Sequence, residues 1–242
     1  MMRVSKSIRV PAPAVPALCT VALLACSLQP ALARAPDTYE GLYKVKSKRF
    51  DLAYVAPGVD FTAYDAVLLE EPQVAFQRNW QRNYNSSASF DRRIDDEEAA
   101  QILEAARAGI AQVFAETFRE HGYTLATSPG PKVLALKTAI IDLQVNAPDT
   151  MTAGRSVTFS REAGEAKLIV EVRDSTSGAL LGRAIDRRTI GDGPIYRRDM
   201  VTNRSDFERA FRHWAKVSTE ALDDLRAAPV LDAEGEPASP AG

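Results

Sequence analysis

Hydrophobic positions recur along the chain with two periods, about 3.6 residues in two long segments and 2 residues in several shorter ones. The first long segment predicts a helix that begins after Asp95, which has the capping-box spacing to Glu98, and ends near Gly122. The second predicts a helix after Ser205, with Glu208 three residues later. Their apolar stripes are Ile102, Leu103, Ala106, Ile110, Val113, Phe114 and Phe118 in the first, and Phe207, Phe211, Trp214, Ser218, Leu222 and Leu225 in the second.

The segments of period 2 predict strands. Residues 66–76 are typical of a strand or strand pair, in which Pro72 indicates an edge position or a bulge. Residues 133–145 are apolar enough for a central strand. Residues 166–173 alternate between apolar and polar side chains, and after a turn at 174–178 the chain returns along 180–190 as the partner strand of a hairpin.

These elements predict an α+β fold, in the order strand, helix, strand, hairpin, helix. We expect a mostly antiparallel sheet with the two amphipathic helices packed on one face, because that arrangement buries both stripes. The domain is expected to span residues 49–228. Residues 34–48 are polar and Lys-rich and predict a flexible arm, whereas the Pro-, Gly- and acid-rich residues 229–242 predict a disordered tail.

The first 33 residues have the three parts of a secretion signal. Basic residues and no acidic one come first, an apolar stretch follows over about residues 14–28, and Ala31-Leu32-Ala33 is a small-residue cleavage pattern. The apolar stretch is too short for a spanning helix, which needs about 20 residues. We therefore expect export to the periplasm, cleavage between Ala33 and Arg34, and no transmembrane segment in the mature chain.

The same segment also allows a second kind of processing. Leu23-Leu24-Ala25-Cys26 resembles a lipobox, although Leu24 is less usual there than a small residue. Lipidation of Cys26 would anchor the mature chain, and Ser27 after it would favour the outer membrane. Both alternatives, a free periplasmic chain and a lipid-anchored one, stay open on the sequence.

Composition limits the classes of function. Cys19 and Cys26 are the only cysteines and both lie in the signal, so the mature domain has no disulfide and no thiol chemistry. Cleavage after Ala33 would move the net charge from −2 to about −5, because it removes three basic residues and no acidic one. A chain with this negative charge is poorly suited to binding nucleic acid, because the phosphate backbone is also negatively charged. The partner expected is another envelope protein or a membrane surface.

Recognisable catalytic patterns are missing from the sequence. Its two histidines, His121 and His213, are far apart, and no His-Glu-x-x-His or Gly-x-Ser-x-Gly pattern occurs. Neither a Walker loop nor a dinucleotide fingerprint is present. We therefore expect no metal and no cofactor, and this census favours a protein that is not an enzyme.

Three carboxylates are the polar candidates for a site. Asp142 lies inside an apolar strand, where it would need a partner such as Arg183 or Lys137. Asp174 and Asp186 flank the predicted hairpin, and paired carboxylates can perform acid–base catalysis. The plainer interpretation of Asp174 is that it begins the turn. The plainer interpretation of Asp186 is that it lies on an exposed strand face.

Several segments of the chain resemble one known family. YVAPGVD at 54–60, followed by YDAVLL at 64–69, resembles its opening motif, and EVRDSTSG at 171–178 with Asp186 resembles its most specific one. FRHWA at 211–215 is similar to its C-terminal pattern. The family is the bacterial domain of unknown function 3313, whose members are often exported and in many cases lipoproteins.

The resemblance extends over about residues 40–226. It implies export and the order of elements given above, raises the lipid-anchored alternative, and implies no activity. We therefore expect an uncharacterised exported cell-envelope protein, a non-catalytic binding or assembly accessory in the periplasm. One alternative is a carboxylate-dependent envelope hydrolase. The other is a small-ligand carrier, which would need a closed apolar pocket.

Overall fold

The structure is a computed structural model that describes residues 35–146, 158–160, 163–191, 196–198 and 200–237, and its folded unit begins at Pro36. The signal segment and Arg34 lie outside the described residues, as do residues 147–157, 161–162, 192–195, 199 and the last five residues. The two alternatives for processing at Ala33 and at Cys26 therefore stay predictions.

The chain forms a mixed α/β structure around a nine-stranded, mostly antiparallel sheet. The strands are β1 (Thr38–Tyr39), β2 (Leu42–Val45), β3 (Leu52–Val55), β4 (Ala66–Leu69), β5 (Gln73–Phe76), β6 (Thr124–Leu125), β7 (Val133–Val145), β8 (Thr158–Ser160), β9 (Gly164–Asp174), β10 (Leu180–Ile190) and β11 (Tyr196–Arg198). The helices are α1 (Trp80–Ser87), α2 (Asp96–Glu120) and α3 (Met200–Ala227). Short 3₁₀ turns lie at Phe61–Ala63 and Phe90–Arg92.

The long strands β7, β9 and β10 are antiparallel neighbours at the centre of the sheet. The strand order is β1-β2-β3-β10-β9-β7-β4-β6, and β8 with β11 forms a separate ribbon. Parallel pairing occurs only where β4 meets β6 and β7 and where β5 meets β7, among the described strands. Pro72 lies in the break between β4 and β5, where it has no ladder bond to donate.

Helix α2 begins where the sequence predicts, because its start is specified locally. The Asp95 carboxylate accepts from the Glu98 N–H at 2.8 Å, and the Glu98 carboxylate accepts from the Asp95 N–H at 3.1 Å. The helix ends before Gly122, whose φ of 83° lies in the left-handed region that glycine tolerates. Helix α3 differs, since it begins at Met200 and Ser205 lies inside it rather than at its cap. No proline or glycine between 200 and 205 stops the helix earlier.

Three segments are more regular than their sequence pattern predicts. Residues 34–48, expected as a flexible arm, contain β1 and β2, and Leu42 of β2 is buried. Residues 77–94, for which no regular element is predicted above, contain α1. Part of the expected disordered tail packs on the domain, since the Gly58 N–H donates to the Leu231 carbonyl and the Tyr43 hydroxyl donates to the Ala233 carbonyl. The arm and the tail gain order from contacts with residues distant in the chain, whereas α1 bonds the nearby Ile94 and Asp96.

The core lies between the helices and the sheet. Strand β9 alternates between buried and half-buried residues, and its even-numbered residues from 164 to 172 are buried. Helices α2 and α3 contact each other, and both contribute to one apolar cluster with the sheet. Their buried positions include Ile110, Val113, Phe114 and Phe118 on α2, and Phe211, Trp214, Ser218 and Leu222 on α3. No helix in the described part of the chain is long and apolar enough to cross a membrane.

Candidate functional site

A cavity of about 500 Å³ lies between the second half of α3 and the sheet, beneath the loop that joins β2 to β3. Apolar side chains of the sheet line its interior: Val55, Leu136, Val170 and Val172. Helix α3 contributes Ala221, Leu222 and Leu225. Phe50 and Phe61 complete the apolar lining from the neighbouring turns, and both are buried. The interior is therefore built to exclude water rather than to bind it.

The cavity exists because small residues face each other where larger ones would fill the core. Ala53 of β3 and Ala184 of β10 are directly paired across the sheet, and Gly182 is paired with Val55. Ala221 of α3 lies opposite them. Protein interiors normally pack with few voids larger than a water molecule, so several small residues at one place leave a volume that nothing else occupies.

Trp214 helps to set the spacing between α3 and the sheet. It is fully buried two turns before Ala221, and its Nε1–H donates to Oδ2 of Asp186 at 2.8 Å. The large indole thus stands on β10 beside the cavity, and the small alanine follows on the same helix. The sequence order of large and small residues on α3 determines where the gap opens.

The exposed lining residues mark the cavity mouth between the β2–β3 loop and the C-terminal end of α3. Lys46 and Lys48 are exposed on the loop side, and Asp224, Ala228 and Pro229 are exposed on the helix side. Most of the polar lining groups lie at this mouth, and the interior is mainly apolar, since Arg183 is paired with Glu171 and the Ser218 hydroxyl donates to the Trp214 carbonyl. A molecule bound here would place its apolar part inward and a polar part between the loop and the helix.

Arg49 ties the loop to α3 across the mouth. Its Nε donates to Oδ2 of Asp224 at 2.7 Å, its Nη2 donates to Oδ1 at 3.2 Å, and its Nη1 contacts the Glu220 carboxylate. The hydrogen bond and charge of Arg49 lower the pKa of Asp224 below its usual value, and the same bond raises the pKa of Arg49. The pair is partly solvated, with Asp224 62% exposed, so it holds the loop in position without contributing much stability.

Two of the three predicted polar candidates have local structural partners. Asp142 sits at the bulge of β7 with φ of 54°, and its partner is Lys167 at 2.8 Å rather than Arg183 or Lys137. Its side chain is 45% exposed, so this pair is not buried in the strand. Asp174 begins the β9–β10 turn, where Oδ1 accepts from the Thr176 and Ser177 N–H groups.

The environment of Asp174 agrees with a turn-forming role. The Ser177 N–H is the main cause that lowers the pKa of this carboxyl, and the Ser177 hydroxyl, with the Tyr64 hydroxyl at 3.1 Å, adds to it. The group is held ionised as an acceptor of local hydrogen bonds. It has no unused proton to transfer at neutral pH.

Asp186 is buried, contrary to the interpretation of an exposed strand face. It accepts from Trp214 and from Nε of Arg188 at 3.1 Å. Arg188 also contacts Nε2 of His213 on α3. Burial, and then the charge of Arg188, lower the pKa of His213 below its usual value. This network joins β10 to α3 beside the cavity but does not line it.

The structure does not bring the three carboxylates together. Asp186 is paired with Leu168, six residues along β9 from Asp174, which corresponds to about 20 Å at roughly 3.3 Å per residue. Asp142 bonds Lys167, whose position alternates with the buried ones of β9 and so lies on the opposite face from Asp186. Within the described residues no group of three or more His, Cys, Asp or Glu could hold a metal ion.

The sequence pattern does not predict a cavity at these lining residues. The available signal was the occurrence of Ala53, Gly182 and Ala184 at inward positions of strands whose other inward residues are large. Such positions become informative only when the strands have been paired, because small residues in separate segments predict no common void.

The chain is similar in structure to several solved proteins of low sequence identity. A single-residue variant of the PelC dodecamer from Paraburkholderia phytofirmans is 13% identical with a TM-score of 0.27, over 66% of this chain and 94% of that one. A Xanthomonas campestris protein of the DUF330 family is 14% identical with a TM-score of 0.35, over 69% of this chain and 83% of that one. A PDZ domain protein from Parabacteroides distasonis is 13% identical with a TM-score of 0.35, over 70% of this chain and 34% of that one. At these values the similarities carry no functional conclusion.

The amino-acid sequence matches one family of proteins but no individual curated protein. No curated protein matches the chain. The model of a family described as "Protein of unknown function (DUF3313)" matches residues 32–218, well over half of the chain. This match confirms the resemblance found in the motifs around the opening segment, the β9–β10 turn and α3. The chain therefore belongs to the DUF3313 family of proteins of unknown function.

Proposed function

We propose that this chain is a non-catalytic binding protein of the bacterial cell envelope that holds a small apolar molecule in the cavity beside α3. The observation that carries the proposal is the cavity itself, with its apolar interior and its charged mouth. A carboxylate-dependent hydrolase is not proposed, because Asp142, Asp174 and Asp186 have separate partners and line no common pocket.

The volume of the cavity suits a ligand of moderate size. Small-molecule sites generally measure about 300–1,000 Å³ and are lined mainly by apolar groups. An apolar cavity of about 150 Å³ is enough for benzene, so about 500 Å³ gives room for roughly three groups of that size. Each buried methylene contributes about 0.8 kcal/mol, so a chain of about ten carbons would gain roughly 8 kcal/mol before the cost of association.

The second half of the proposal is that the protein lies in the cell envelope. The secretion signal in residues 1–33 supports this location. The chain is exported and then either released by cleavage after Ala33 or anchored through Cys26. In the same proposal α2 and α3 lie together on the cavity side of the sheet. The opposite face, which presents charged residues such as Lys167 and Glu171, is then available to an envelope partner.

The binding experiment uses the exported protein purified from envelopes, stripped of bound lipid, with the neutral fluorescent probe N-phenyl-1-naphthylamine. We expect saturable binding with a dissociation constant on the order of micromolar. Ala221→Leu, which places three more carbons in the cavity, should weaken binding, whereas Ala227→Leu, on an exposed position of the same helix, should leave it unchanged. Binding that is absent in the wild type, or equal in the two variants, would overturn the proposal.

The location is tested on the same purified protein by mass spectrometry of its N-terminus. A free Arg34 or an acylated Cys26 supports export and identifies the mode of processing. A chain that retains Met1 in cells, with no envelope fraction, would contradict the envelope half of the proposal and leave the cavity half standing.

A further inference from the structure

We infer that the molecule held in the cavity is an amphiphile with a hydrocarbon tail and an anionic headgroup, and that Lys46 and Lys48 bind the headgroup. The inference rests on the proposed function, since it assigns the ligand class to the same cavity. It comes from the charge balance at the mouth, which is independent of the apolar lining that supports binding in general.

The basic residues of the mouth come from a single loop. Lys46, Lys48 and Arg49 lie on the four-residue segment that follows Val45 and precedes Phe50. Arg49 contacts Asp224 and Glu220 together, and Lys216 lies 3.9 Å from the other carboxylate oxygen of Glu220, so these two carboxylates are matched by two cations. Asp224, the only charged lining residue on the helix side, is therefore already engaged by Arg49.

Lys46 and Lys48 remain as uncompensated cations. Both are exposed, and neither forms an ion pair with any residue that the structure describes. The charge of Lys48 acts on Asp224 only at a distance, as one of the smaller causes of that carboxyl's low pKa. An anionic group at the mouth would therefore meet two free ammonium groups.

The loop changes from apolar to charged within one residue at each end. Val45 and Phe50 line the interior, while the residues between them stand at the mouth. A hydrocarbon tail lying against Val45 and Phe50 thus continues directly into the reach of the two lysines. On the other side of the mouth, Ala228 and Pro229 are exposed and uncharged, so the positive charge is confined to one side.

This arrangement discriminates among headgroups by charge. A carboxylate or phosphate would form charge-assisted hydrogen bonds with an ammonium group, an alcohol would gain only ordinary ones, and an amine would be repelled. Lysine binds either anion as a point charge, without the bidentate geometry that would select one of them. The shared chemistry is therefore an anionic headgroup on a single hydrocarbon tail.

The experiment compares four ligands with the same ten-carbon chain at pH 8: decanoate, decyl phosphate, decanol and decylamine. Each displaces N-phenyl-1-naphthylamine from the wild-type exported protein. We expect the two anions to bind about five- to tenfold more tightly than decanol, and decylamine to bind least tightly. The tighter of the two anions then indicates whether the natural headgroup is a carboxylate or a phosphate.

Two variants assign the preference to the loop. Lys46→Gln with Lys48→Gln should reduce the preference for the anions to less than twofold and leave decanol affinity unchanged. Lys44→Gln is the matched control, because Lys44 is an exposed lysine of β2 that does not line the cavity, and it should alter neither affinity.

The outcomes separate this inference from the proposed function. If none of the four compounds displaces the probe, the cavity is not a ligand site and both fail. If decanol binds as tightly as the anions, or if the double variant keeps the wild-type preference, the proposed function stands and the inference is overturned.

Discussion

Replacing Ala221 by leucine tests whether the cavity is empty volume in solution. Ala221 lines the cavity from α3, whereas Ala215, six residues earlier on the same helix, is fully buried in the packed core. The change of alanine to leucine adds the same three carbons at both positions. Because alanine and leucine differ by only a few tenths of a kcal/mol in helix propensity, the two variants differ mainly in the space that the new side chain finds.

The two substitutions should have effects of opposite sign on the free energy of unfolding. At Ala221 three buried carbons can contribute up to about 2.4 kcal/mol, from which leucine side-chain entropy subtracts about 0.5–1 kcal/mol. We therefore expect a gain of up to about 1.5 kcal/mol, which raises Tm by up to about 3–6 °C for a domain of this size. At Ala215 no space is available, and overpacking should cost about 1–3 kcal/mol.

The measurement is thermal and urea unfolding of the lipid-stripped wild type and both variants in one buffer. Stripping is necessary because a bound ligand would stabilise the wild type and hide the gain. If Ala221→Leu destabilises the protein as much as Ala215→Leu, the volume beside α3 is already filled and the reasoning is refuted. If it stabilises the protein without reducing probe binding, the cavity is real and the probe binds elsewhere.

Two further predictions concern the close pairing of β7 with β9 and the contact between β10 and α3. A side chain at Gly164 would place Cβ 2.0 Å from the Gln144 carbonyl oxygen, so Gly164→Ala should cost at least about 2 kcal/mol in urea unfolding. Gly182→Ala, whose Cβ would meet ordinary contacts, is the control, and equal losses would contradict the close approach. Burial, and then the charge of Arg188, lower the pKa of His213 in the folded state, so the unfolded chain binds more protons. The contribution of neutral His213 to the free energy of unfolding should therefore be fully present above about pH 6.5 and be lost as the pH falls below that value. His213→Gln should remove this part of the slope between pH 7.5 and 5.5, and an unchanged slope would show that another group causes it.

The sequence by itself determined the elements whose signals are local. The capping box of Asp95 and Glu98 and the ending at Gly122 bound α2 because each acts within one turn of the helix. The alternation in β9 and the turn begun by Asp174 likewise predicted the β9–β10 hairpin. The motifs predicted membership of the DUF3313 family, which the family match confirms.

Only the tertiary structure decided the remainder, because it depends on which residues lie opposite one another. The partner of Asp142 follows from the bulge in β7, which places its carboxylate beside Lys167. The cavity requires small residues from three segments to converge at one place: β3, β10 more than a hundred positions later, and α3 after β10. A single alanine or glycine in the sequence does not predict a cavity, because a neighbouring side chain can always fill the space that it leaves. Whether a gap stays open is a property of the packed layers, and it appears only when sheet pairing and helix position have both been fixed.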